Sequence, residues 1–129
     1  MPHFALNLLR IVSGALFAQH GAQKLFGVLG RDGSVEAWSL LWTAGMFELC
    51  GGFLIVFGLF TRPVAFLLSG QMAAAYFLRH VDRAFFPIQN GGELAALYCF
   101  IFLYLAVRGG GSFGIDGAWM AYRRRRATE

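Results

Sequence analysis

Ionisable residues interrupt stretches of sequence that are otherwise apolar, and their spacing is the first clue to what they could do. Arg10, Ser13, Phe17, His20 and Lys24 follow one another at intervals of three and four residues, so in a helix the polar members share one stripe. Glu48, Gln71, His80 and Glu93 stand in or at the ends of further apolar stretches, and Asn90 precedes the last of these. A charged side chain at the centre of a membrane helix costs about 2.5 to 3.5 kcal/mol on insertion, so such groups turn inward and find partners. Brought together, they would line a polar pocket able to hold a small molecule and to exchange its proton. Glu48 and Glu93 are the expected proton-handling residues, with His20, Lys24, Asn90, His80, Gln71 and Arg10 as binding or electrostatic partners. The plainer alternative is that these groups pair only with each other, Lys24 or Arg10 with Glu48 or Glu93, and so fix helix register.

Depth along the helices sharpens this expectation. At 1.5 Å per residue His20 lies roughly 24 Å from Phe4, with Lys24 one turn further, and Glu48 about 14 Å into the second apolar stretch. If successive helices alternate in direction, His20, Lys24, Glu48, Glu93 and His80, with Gln19 and Gln23 nearby, converge at one end. Arg10 and Gln71 then sit deeper, toward the other. The proton handled there could be that of a small substrate or of a quinone headgroup, and the residues alone name no cofactor. Haem ligation by His20 and His80 is disfavoured, because each lies near a helix end beside a charge. The sequence carries no zinc spacing, phosphate-binding loop, dinucleotide fingerprint or Ser/His/Asp arrangement, and no metal is expected.

Four apolar segments must position these residues, at about 4–24, 39–60, 63–80 and 91–108, where about 20 residues cross ~30 Å of hydrocarbon. The composition is 57% hydrophobic and 14% charged, against about 25% charged in an ordinary soluble domain. Fourteen Phe are more than the interior of a 129-residue soluble fold would hide. Gly14, Ala18 and Ala22 recur every four residues and would let another helix approach closely. The connection Thr61-Arg62-Pro63 is short enough to force an antiparallel hairpin, and Gly109-Gly110-Gly111 ends the fourth helix. The expected fold is all-α: a membrane four-helix bundle, up-down-up-down, in a single transmembrane domain over 1–129 that closes with a basic C-terminal tail, 119–129. Arg123 to Arg126 supply the basic run, which is read as a cytoplasmic anchor and not as a nucleic-acid site; both termini are then cytoplasmic. Arg10 interrupts the first apolar segment, which is therefore expected to stay in the protein and not to be cleaved as a signal. Cys50 and Cys99 form no paired motif and are expected to be buried spectators.

At these residues the chain resembles the DoxX family of small four-helix membrane proteins. The resemblance is carried by Arg10 through Gly14, by HGAQKLFG from His20, by FELCGGFLIVFGLFTR from Phe47, by Gln89-Asn90-Gly91-Gly92-Glu93 running into Ala95-Ala96-Leu97-Tyr98, and by Gly114-Ile115-Asp116. It implies a multi-pass protein of the bacterial inner membrane placed near redox metabolism, where relatives form the quinone-linked part of thiosulfate oxidation or accompany quinone-detoxification proteins. Lys24, Glu48, Asn90 and Glu93 match the polar places of the family motif. The tetra-arginine tail and the lack of a soluble redox domain or catalytic thiol depart from the redox members. The expected function is that of a redox-associated membrane subunit binding a quinone or similar small molecule in the external half of the bundle. The rivals are a non-catalytic anchor or assembly protein for a redox partner, and a small-molecule or ion conduit. Gly and Ala surfaces make a homo-oligomer plausible.

Overall fold

The computed structural model describes residues 2–127, and within them the chain is all-helical with no strand. Four longer helices, α1 (Pro2–Phe26), α2 (Leu40–Phe57), α3 (Thr61–Arg79) and α5 (Glu93–Arg108), are joined by the short α4 (Pro87–Asn90) and followed by α6 (Ile115–Arg126). Met1, Thr128 and Glu129, the ends of the domain expected over 1–129 and of the tail expected over 119–129, lie outside the described residues.

Local chemistry sets most boundaries. Ser39 starts α2, its hydroxyl accepting from the Trp42 amide at 3.1 Å. Gly58, in the left-handed conformation at φ 65°, ends it, its amide reaching the Ile55 carbonyl. The connection to α3 is therefore Gly58–Phe60 and not Thr61–Pro63, and Pro63 sits in the first turn of α3 where its missing N–H goes unfelt. The fourth long helix begins at Glu93 and not Gly91, because α4 forms first and Gly91 turns the chain at φ 72°. The segment expected as a tail is instead helical from Ile115 to Arg126.

Packing divides the long helices into two antiparallel pairs. In the first, α1 and α2 approach backbone to backbone: a Cβ on Gly52 would stand 2.7 Å from the Ala18 amide nitrogen and from the Gly14 carbonyl oxygen. In the second, α3 and α5 are tied by Ser69, whose hydroxyl donates to the Cys99 carbonyl at 2.8 Å. Between the pairs sits the apolar core, Phe17 with Tyr98 and Phe102 at ring separations of 5.1 and 4.8 Å, beside Ile55, Leu68, Met72 and Leu105.

Polarity is inverted relative to a water-soluble protein. Phe66 and Phe100 are 66% and 68% exposed while Arg10 is 0% and Glu48 3%. Cys50, expected in the interior, is exposed on α2, and Cys99 is half-buried. Among the described residues, α2 is the one helix long and apolar enough to cross a membrane by length and composition alone. The 16 residues of α5 reach only about 24 Å.

At the end of the helices opposite Lys24, the chain after α5 folds back and closes the structure. The Arg10 guanidinium donates to the carbonyls of Ile55 at 2.8 Å and Val56 at 2.6 Å, and also to that of Phe113. Asp116 accepts from the amides of Phe60 at 2.9 Å and Thr61 at 2.8 Å, capping α3 from 55 residues away. Asn7 accepts from the Phe113 amide at 3.2 Å.

Candidate functional site

The other end is open. Lys24, in the last turn of α1, forms an ion pair with Glu48 from the middle of α2. The approach of α1 to α2 at their glycines brings the two together: Gly45, one turn before Glu48, packs against Lys24 and Leu25. From α3, Gln71 donates its amide to the Ala44 carbonyl at 3.2 Å and reaches the same Glu48 oxygen at 3.5 Å. That Glu48 oxygen, Oε1, is fully engaged. Its twin Oε2 is buried with no hydrogen-bond partner, as is Oε1 of Gln71. A buried carboxylate oxygen without a donor costs about 1 to 3 kcal/mol relative to a satisfied one, so a hydrogen-bond donor that reached it would be favoured.

Glu48, Lys24, Gln71, His20 and His80 all line one cavity of about 930 Å³ between the two helix pairs. Its apolar walls come from Phe17, Leu41, Met72, Ala75, Leu78, Leu94 and Tyr98. His20 meets the Tyr98 ring edge-on at 6.2 Å, and the same two residues line a smaller cavity of about 310 Å³ with Gln19 and Gln23. His80 Nδ1 stands 3.1 Å from the Asn90 carbonyl oxygen. A carbonyl can only accept, so Nδ1 bears the hydrogen and Nε2 is left as an acceptor in the neutral ring.

Three of the expected residues are elsewhere. Glu93 is exposed in the first turn of α5, where a carboxylate suits the positive end of the helix dipole, and it does not line the cavity. Asn90 is buried but occupied: it donates to the Tyr76 hydroxyl at 3.2 Å and the Ala84 carbonyl at 3.1 Å, and accepts from the Gly92 amide at 2.7 Å. It locks the turn between α4 and α5. Arg10 lies at the closed end. Gln71, expected with Arg10, instead belongs with Glu48. Sequence reasoning missed Asp116 as the distant cap of α3; an acid in a basic terminal segment gave little to mark that role.

A helical protein with aromatic residues outward and a buried carboxylate–ammonium pair beside an open cavity is of the membrane-associated class. The chain belongs to the DoxX family, whose profile matches residues 5–81, and that family is membrane-associated. An "Uncharacterized protein" of Haemophilus influenzae is 45% identical over 122 residues, covering 89% of this chain and 90% of that protein. The Bacillus subtilis protein named "Putative oxidoreductase CatD" is 29% identical over 113 residues, covering 84% of this chain and 82% of that one. No solved structure matches the chain significantly.

Proposed function

We propose that this DoxX protein is a multi-pass subunit of the bacterial inner membrane that binds a quinone or similar small molecule in the cavity between its helix pairs. In this reading α1, α2, α3 and α5 form a transmembrane four-helix bundle, up-down-up-down, with both termini cytoplasmic and the cavity in the external half. The exposed aromatic residues support the lipid environment, and the arginines of α6 support the orientation. The similarity to a protein named as an oxidoreductase favours redox chemistry.

The observation that carries the proposal is Glu48: 3% exposed, one oxygen held by Lys24 and the other unpartnered in the wall of a large cavity. A quinol hydroxyl donates to such an oxygen, and the carboxylate can receive that proton while the ring's electrons pass to a redox partner protein. Lys24 pairs with the carboxylate before the transfer, the Gln71 amide donates to the same oxygen, and Phe17, Met72 and Tyr98 supply the apolar walls that a quinone ring needs.

Decylubiquinol, kept reduced under anaerobic conditions and added to the protein in lipid nanodiscs, is the test. Binding that raises the Tm of the wild type, and is weakened at least about ten-fold in Glu48→Gln with its fold retained, is the expected result. Equal binding by both proteins would discard Glu48 as the recognition group. The second reading, a non-catalytic anchor, rests on α6, no residue of which is buried. A wild type that binds no quinone but retains a reproducible protein partner lost on deleting 119–129, which leaves the Asp116 cap in place, would favour it.

A further inference from the structure

The cavity has a second polar pole that proton exchange at Glu48 does not use. Its inner wall carries the Glu48–Lys24 pair and Gln71, whereas its rim, where α3 ends and the next turn begins, carries Arg79, His80 and Arg83. Along α2 the lining extends from Leu40 at the rim to Glu48 within, a span of about 12 Å. Between the poles the walls are apolar, formed by Leu41, Ala75, Leu78 and Leu94.

The lining charges do not balance. Lys24, Arg79 and Arg83 face a single carboxylate, Glu48, and Lys24 already takes it. Neither the Arg79 nor the Arg83 guanidinium has an ion pair or hydrogen bond among the described residues, and Asp82, the acid nearest in the chain, is exposed and pairs with neither. A guanidinium is a planar fork of donors that fits a carboxylate, sulfonate or phosphate group. Both guanidiniums are exposed at the rim, so an anionic group at the outer end of a ligand would meet them without displacing another partner.

We infer that the rim is an anion subsite, and that the natural ligand is an amphiphilic anion: a neutral hydrogen-bonding head at Glu48 and Gln71, an apolar body along α2 and α3, and an anionic group on Arg79 and Arg83. This rests on the quinone-type reading of the inner pole and narrows it. The ligand has a ring head with an acidic arm about 10 Å away and is not a purely neutral isoprenoid quinone.

The test uses two probes, 5-(1,4-dihydroxynaphthalen-2-yl)pentanoate and its uncharged methyl ester, both kept reduced under anaerobic conditions, with the full chain in phosphatidylcholine nanodiscs. The expected result is about ten-fold tighter binding of the acid by the wild type. In R79Q/R83Q the acid falls to the affinity of the ester, and R79K/R83K, which keeps the charge and loses the fork, retains part of the preference. Equal binding of acid and ester by the wild type overturns the anion subsite and leaves the quinone reading standing. Binding of neither overturns the quinone reading itself. A preference that survives R79Q/R83Q also overturns the inference, because the charge is then read elsewhere. Replacing part of the lipid with phosphatidylglycerol separates the two sources of an anion. A preference that persists belongs to the cavity's ligand, and one that vanishes assigns the arginines to lipid headgroups and overturns the inference.

Discussion

Lys24 and Glu48 are an unequal pair. Glu48 is 3% exposed and Lys24 21%, on a long flexible stem that can carry its ammonium toward the open end. Removing the lysine strands a buried carboxylate, whereas removing the acid leaves a cation able to reach water. Lys24→Met is therefore expected to destabilise by about 3 kcal/mol, measured as loss of Tm in detergent, with Glu48→Gln costing clearly less and the double substitution recovering part of the Lys24→Met loss. Equal effects of the two single changes would contradict this asymmetry. Both residues were legible in the sequence as charges in apolar surroundings. Gln71 was misplaced because its depth was counted from a helix end. Glu48 and Gln71 lie symmetrically about the turn at Leu59 and Phe60, and in an antiparallel hairpin that symmetry alone puts them at one level. Glu93 was drawn into the cluster because a carboxylate near an apolar run looks like a membrane acid, although the first turn of a helix is reason enough for it to face out.

The helices hold together by two devices that differ in how visible they are in the sequence. The small-residue approach of α1 and α2 could be anticipated from the four-residue repeat of Gly14 and Ala18. Its partners Gly45 and Gly52, and Gly21 which meets Gly45, emerge only with the register. Gly52→Ala is expected to cost about 1 to 3 kcal/mol by driving the backbones apart. Gly70→Ala, where an added Cβ meets nothing within 4 Å, should stabilise by up to about 1 kcal/mol through helix propensity. Thermal unfolding of the two variants in one detergent checks the contrast, and a loss at both positions would refute it. The second device, Asp116, was hidden because α3 has no local side-chain cap and its acceptor lies beyond α5. Asp116→Ala should cost about 1 to 2 kcal/mol and expose the Phe60–Thr61 amides to hydrogen exchange. Unchanged exchange there would remove the capping role.

Taken whole, the molecule has aromatic residues outward, a sealed polar knot around Arg10 at one end and an open polar cavity at the other. Composition made the apolar exterior legible, because 14 Phe in 129 residues are more than the interior could hold. It said nothing of which end closes, since that depends on the glycine-rich return after α5. The proposed orientation rests on the basic α6: a C-terminal reporter active only in the cytoplasm is expected, and activity in the periplasm would overturn it. Cys50, exposed on α2, should resist water-soluble maleimides in intact membranes yet react in detergent-denatured protein. The central claim, that a small molecule sits between the helix pairs against Glu48, is tested most directly by photolabelling membranes with an azido-quinone and mapping the modified peptides. Label concentrated around Glu48 on α2 and Met72 on α3, and competed away by unlabelled quinone, is the result this account predicts. Label confined to outward residues such as Phe53 and Phe66, without competition, would contradict it.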